Sequence, residues 1–98
     1  MDILTDKQKT AYNSFYESTH NNEFLDSKIE ILIGLSAAIA MNCQPCTNYY
    51  LTKAKKAGVV KGEIKEVLAK VMAVAAGQKK LQSQEVFTKF KIDLSDFE

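Results

Sequence analysis

The stretch Ser27-Lys28-Ile29-Glu30-Ile31-Leu32-Ile33-Gly34-Leu35-Ser36-Ala37-Ala38-Ile39-Ala40-Met41-Asn42-Cys43-Gln44-Pro45-Cys46 decides the reading of this 98-residue chain. From Ile29 to Met41 almost every position is apolar, without the period-two alternation of a half-exposed strand. Asp26 or Ser27 is a suitable N-cap, so the pattern predicts a helix running from there to about Asn42. A helix that is apolar on nearly every side has to be buried all round. A chain this short has few helices of its own to surround it, and partner subunits are the simplest cover. The run is too short to span a bilayer and is interrupted by Gly34 and Ser36.

Toward the N-terminus, Thr5-Asp6-Lys7-Gln8 has capping-box form and predicts a first helix to about His20. Tyr12, Phe15 and Tyr16 give that helix an apolar stripe, and Asn21 and Asn22 mark its stop. Toward the C-terminus, Pro45 opens a third helix that ends before Gly58. A fourth is expected from about Lys61 to Ala76, with Ile64, Val67, Leu68 and Val71 on one face and Gly77 as its stop. A fifth is expected from about Lys79 to Lys91, carrying Leu81, Val86, Phe87 and Phe90. No linker composition separates these pieces. The expectation is an all-α fold: one helical domain over residues 1–98, of about five helices, completed by oligomerisation.

All 13 basic residues are lysine, against 12 acids, for a net charge of +1. Arginine is the preferred tool for bidentate phosphate and base recognition, and its absence argues against nucleic acid as a partner. Lys53, Lys55 and Lys56, like Lys79 and Lys80, read as solvated helix faces. The start of the chain, MDILTDKQK, lacks the basic-then-apolar layout of a secretory signal. The expectation is a soluble cytoplasmic protein with no membrane contact. In that compartment two cysteines rarely form a structural staple, which leaves redox chemistry or metal binding.

Cys43 and Cys46 are the only cysteines. At the start of a helix, unpaired backbone N–H groups favour the thiolate, the species that attacks peroxides and disulfides. Cys46, Tyr49, Tyr50 and Lys53 share one helix face. Tyr50 can hydrogen-bond Cys46 or a nearby water, but an unperturbed tyrosine is a poor base near neutral pH. A zinc reading is incomplete: the cysteine pair supplies two of four ligands, and His20 is the only histidine, so subunits would have to share the site. No metal and no cofactor are therefore expected. A thioredoxin-type reading needs a strand–helix–strand context that the chain lacks.

The stretch from Leu32-Ile33-Gly34-Leu35 through Asn42-Cys43-Gln44-Pro45-Cys46, then Tyr50 and Ala57-Gly58 and the helix from Glu63-Ile64 to Gly77, resembles the carboxymuconolactone decarboxylase and alkylhydroperoxidase D-like family. That resemblance covers about half the chain. It implies an all-helical dimer, trimer or hexamer of interlocked subunits and a peroxidase or antioxidant oxidoreductase with a redox-active Cys-x-x-Cys disulfide. It also implies that Cys46 attacks and Cys43 resolves, aided by a proton-relay glutamate and histidine. At the histidine position this chain has Tyr50. At the glutamate position, counted without a gap, it has Ile31, with Glu30 one residue away. Tyr50 and Glu30 are thus the candidates for a rebuilt relay beside Cys43 and Cys46. Glu30 also has a second reading, as the far end of a Ser27-x-x-Glu30 capping box. His20 is a candidate replacement base, or a residue capping a helix end.

Three functions follow. The first is a thiol–disulfide oxidoreductase that reduces peroxides or exchanges disulfides, restored by a partner dithiol and weakened by the unmatched relay. The second is a non-catalytic helical oligomer that binds a small ligand or a protein partner. The third, ranked last, is a decarboxylase-like lyase, because decarboxylating members of the family generally lack the cysteine pair.

Overall fold

The Thr5 hydroxyl accepts from the Gln8 N–H at 3.2 Å, and the Gln8 side chain accepts in return from the Thr5 N–H. This reciprocal box opens α1, Asp6–Ser18. In the computed structural model, which describes residues 2–98, three further helices follow: α2, Ser27–Ala40; α3, Gln44–Lys56; and α4, Lys61–Lys89. A single 3-10 turn, Leu94–Asp96, closes the chain. The described residues contain no strand, so the fold is all-α.

One boundary differs from the sequence expectation. The fourth and fifth expected helices are one continuous helix of 29 residues, with Gly77 inside it. Glycine costs a helix interior only about 1 kcal/mol relative to alanine. The flanking Ala75, Ala76, Gln78, Lys79 and Lys80 are all good helix formers, and they carry the helix through. At the start of α2 the choice left open between Asp26 and Ser27 falls on Asp26. Asp26 is the N-cap, its carboxylate accepting from the Ile29 N–H at 2.9 Å. Glu30 is therefore released from the expected capping box with Ser27.

Two short joints set the packing. Asn42 has a positive φ of 55°, with its N–H bonded to the Ile39 carbonyl, and the Cys43 N–H reaches back to the Ala38 carbonyl. This is a Schellman stop, with asparagine in the left-handed position. At the end of α3 the same motif recurs with Gly58 at φ 74° and the Val59 N–H on the Ala54 carbonyl. The first joint turns α3 back antiparallel along α2. The second brings α4 round to lie along α2 in the same direction: Lys28 pairs with Glu63 near both N-termini, and Met41 meets Val74 and Ala75 near the far end.

α2 is the shared element, packing on α3 and on α4, whereas α1 packs along no other helix. The core is small. Ile31, Leu35 and Ala38 of α2 and Ala54 of α3 are the buried apolar residues, with Leu35 fully enclosed. Their spacing places Ile31, Leu35 and Ala38 on one stripe. The all-round burial expected of α2 is not met within one chain, since Ile29 and Ile33 remain about half exposed. Every residue of α4 beyond Val71 is exposed. The radius of gyration is 19.3 Å, against roughly 13 Å for a compact chain of this length.

Candidate functional site

Cys43 occupies the hinge between two helices. Its N–H closes the end of α2 and its side chain caps the start of α3, the sulfur accepting from the Cys46 N–H at 3.3 Å. Gln44 and Pro45 fill the first helical turn, where a proline lacking an N–H loses nothing. The Thr47 hydroxyl donates to the Cys43 carbonyl at 2.8 Å and ties the same turn. Cys43 and Cys46 are joined as a disulfide, their Cα atoms 5.3 Å apart. Cys46 is exposed, while Cys43 is partly covered. A groove of about 390 Å³ opens beside Cys43, bordered by Asn42, Gln44, Thr47 and Asn48 with Ile39 and Leu51 behind.

One turn beyond Cys46, Tyr50 lies back across α2. Its ring covers Gly34 so closely that a Cβ there would overlap it. Burial raises the Tyr50 hydroxyl above its ordinary range, and the neighbouring Tyr16, Glu30 and Tyr49 add to the effect. A phenol held in its neutral form can donate a hydrogen bond but does not accept a proton near neutral pH. Lys53 lies over the Tyr49 ring, its Nζ 5.3 Å from the ring centre.

The displaced glutamate has a partner. Glu30 Oε1 lies 3.4 Å from His20 Nδ1, with both side chains largely covered. The imidazole packs edge-on against Tyr16 and Tyr49, at ring separations of 4.6 and 6.0 Å, and Tyr49 packs against Tyr50 at 5.1 Å. Neither imidazole nitrogen has a well-aligned hydrogen bond. The structure thus brings together Glu30, His20 and Tyr50: Tyr50 stands one turn along α3 from Cys46, whereas Glu30 is in the first turn of α2, at the opposite end of that helix from the disulfide. Ile31, at the glutamate position of the resemblance, is instead a core residue. The groove residues Asn42, Gln44, Thr47 and Asn48 were not singled out from the sequence. Their signal was the run of neutral polar side chains interleaved with the two cysteines. Among the described residues no cluster of three His, Cys, Asp or Glu side chains is placed to hold a metal ion.

A vicinal cysteine pair at a helix start, set in a scaffold of four helices without a sheet, defines a helical disulfide-bearing protein outside the thioredoxin architecture. Residues 9–89 match the carboxymuconolactone decarboxylase family. The chain belongs to that family. A crystal structure of a protein from Methanobacterium thermoautotrophicum has the same fold, with a TM-score of 0.76 at 23% identity, over 83% of this chain and 91% of that one. No curated protein sequence is significantly similar to the chain. No helix among the described residues is long and apolar enough to cross a membrane.

Proposed function

We propose that this chain is a thiol–disulfide oxidoreductase that cycles Cys43 and Cys46 between dithiol and disulfide. The observation that carries the reading is the disulfide itself, seated where the backbone N–H groups of α3 stabilise a released thiolate. With a peroxide, one thiolate attacks an oxygen and the O–O bond breaks, leaving a sulfenic acid and an alcohol. The second thiol then displaces water to close the disulfide. A partner dithiol returns the two electrons by exchange. Tyr50, at the family's histidine position, supplies no base, so disulfide exchange is favoured over rapid peroxide reduction.

The test is thiol consumption by the reduced protein with a peroxide and, separately, with an oxidised dithiol. Cys43→Ser and Cys46→Ser serve as controls. Turnover above that of a free cysteine, lost in both variants, is expected. A rate no greater than that of free cysteine with either oxidant removes the oxidoreductase reading.

A second reading is a non-catalytic oligomer that binds a ligand or partner. It is favoured by the apolar groove of about 380 Å³ where Ala37 and Ala40 of α2, with Met41 just beyond its end, meet Val71 and Val74 of α4. Ligand-dependent stabilisation without thiol turnover would select it. Under either reading residues 1–98 form one domain of a homo-oligomer. The extended shape and the half-exposed Ile29 and Ile33 support association, and light scattering that gave the mass of a single chain would contradict it. A pair that must be re-reduced in each cycle suits a reducing, cytoplasmic setting.

A further inference from the structure

We propose that the cavity between the turn after α1, the first half of α2 and Tyr50 of α3 binds a small primary alkylammonium ion, with the Glu30 carboxylate as its anchor. The site is separate from the disulfide and from the α2–α4 groove. It goes beyond the oxidoreductase reading and does not depend on it.

The starting point is a covered carboxylate without a donor. The Glu30 side chain is 12% exposed, and its near neighbour is His20 Nδ1 at 3.4 Å. That contact is not an aligned hydrogen bond. Asp26 already takes the open Ile29 N–H at this end of α2, so Glu30 has no capping duty. No lysine among the described residues forms an ion pair with it: Lys28 pairs with Glu63, and the Lys53 Nζ lies over the Tyr49 ring. Covering a carboxylate without a hydrogen-bond donor is unfavourable, and a ligand that brings donors recovers the loss.

Glu30 borders two cavities, and their walls differ in charge. One, of about 300 Å³, also has His20, Ser27 and Lys53 on its walls, so basic groups of the chain already face it. The other, of about 310 Å³, has no basic side chain on its walls. There Thr19, Asn22 and Tyr50 add a hydroxyl, a carboxamide and a phenol to the carboxylate. The Thr19 hydroxyl donates to the Tyr16 carbonyl at 2.7 Å, which leaves its oxygen free to accept. Leu25, Ile33 and Gly34 supply the apolar part of the wall. Leu25 and Ile33 are still about half exposed, apolar surface that an alkyl tail would cover.

This lining selects the ligand. One carboxylate, several neutral oxygen acceptors and an apolar wall complement an ammonium head on a short alkyl chain. The ammonium brings three donors and a positive charge, whereas an alcohol brings one donor and no charge. An anionic ligand would meet Glu30 with no cation beside it. The volume lies at the small end of ligand sites, which suits a chain of a few carbons.

The experiment titrates the full chain with n-butylammonium chloride at neutral pH and constant ionic strength, following backbone amide resonances by NMR. Butan-1-ol and sodium butyrate are titrated in parallel. Saturable shifts centred on Asn22, Glu30, Gly34 and Tyr50 are expected with butylammonium, with binding at least about tenfold tighter than for the alcohol or the carboxylate. Glu30→Gln, which keeps the shape and removes the charge, should weaken butylammonium binding by about tenfold or more. Tyr50→Phe should weaken it by about two- to tenfold. Far-ultraviolet dichroism checks that each variant is folded. If either variant fails to fold, the comparison of the three ligands on the wild type decides alone.

Shifts that do not saturate, or that centre elsewhere, overturn the site. Equal affinity for butanol or butyrate overturns the ligand class, and an unchanged affinity in a folded Glu30→Gln overturns the anchor. Butylammonium binding that weakens as protein concentration rises would assign the cavity to a lysine of a second copy and overturn a free amine. None of these readouts involves the sulfurs, so failure here leaves the oxidoreductase reading untouched, and failure of thiol turnover leaves this site untouched.

Discussion

The Tyr50 ring lies over Gly34, where any side chain on α2 would collide with it. The glycine is thus the space that admits a phenol at the point where α3 crosses α2. Gly34→Ala should gain about 1 kcal/mol of helix propensity but displace a partly buried ring, at a cost of about 1–3 kcal/mol. A net loss of roughly 1 kcal/mol in urea unfolding is expected, with a changed near-ultraviolet dichroism. In a Tyr50→Ala background the collision is gone, and the same substitution should stabilise. A loss of equal size in both backgrounds would contradict the contact.

His20 and Glu30 join the end of α1 to α2 with little of either side chain exposed. Because α1 packs along no other helix, this pair and the surrounding tyrosines are its main attachment. His20→Ala should cost about 1–3 kcal/mol by leaving a covered carboxylate without its neighbour. Limited proteolysis should then cut sooner within Asp6–Ser18. A double-mutant cycle with Glu30→Gln should give a coupling of about 0.5–2 kcal/mol, and a coupling of zero would remove the pair from the account.

Glu63 carries two tasks at the start of α4. Its carboxylate accepts from the Val60 N–H at 3.0 Å and takes the Lys28 ammonium at 2.6 Å. The Lys28 hydrogen bond, followed by that from Val60, holds its pKa below the usual glutamate range. A carboxylate whose folded pKa is depressed adds stability above its unfolded pKa and loses it as pH falls through the folded value. The Tm gap between wild type and Glu63→Gln should therefore be open at neutral pH and close as pH falls below the ordinary glutamate range. The site is solvent-exposed, so part of the gap should also close in high salt. A gap constant with pH would argue against an ionic contribution.

Asn42 holds the left-handed turn from which Cys43 reaches both helices. Asn42→Gly should be tolerated. Asn42→Val should cost about 1–2 kcal/mol, because a β-branched residue resists positive φ. The valine variant should also slow closure of the Cys43–Cys46 disulfide, measured as free thiol against time under a fixed oxidant. Equal closure rates in the two variants would separate the turn from the chemistry.

Much of this arrangement is legible in the sequence, and the exceptions have physical causes. Thr5 and Gln8 announce the start of α1 because a capping box is wholly local. Pro45 and Gly58 bound α3 for the same reason. Gly77 misleads because one glycine is a small penalty among strong helix formers, and propagation outweighs it. Glu30 misleads because Asp26 and Ser27 compete for one cap, and the choice frees or occupies the glutamate. Its meeting with His20 depends on the path of residues 19–26, which spacing along a helix does not encode. The Cys43 groove is likewise a product of the Asn42 turn, which sets α3 against the end of α2.

The continuity of α4 through Gly77 has a consequence for how order is transmitted along the molecule. Its first half is held against α2, while its second half, exposed throughout, packs on no other helix among the described residues. A dozen residues of free helix are marginal in water, because nucleation is the costly step and extension is cheap. The distal half is therefore templated: it inherits its register from the packed turns and unwinds from its free end. Amide protection should decline steadily from Lys61 toward Lys89 in an isolated chain, and flatten wherever a second molecule clasps the far end.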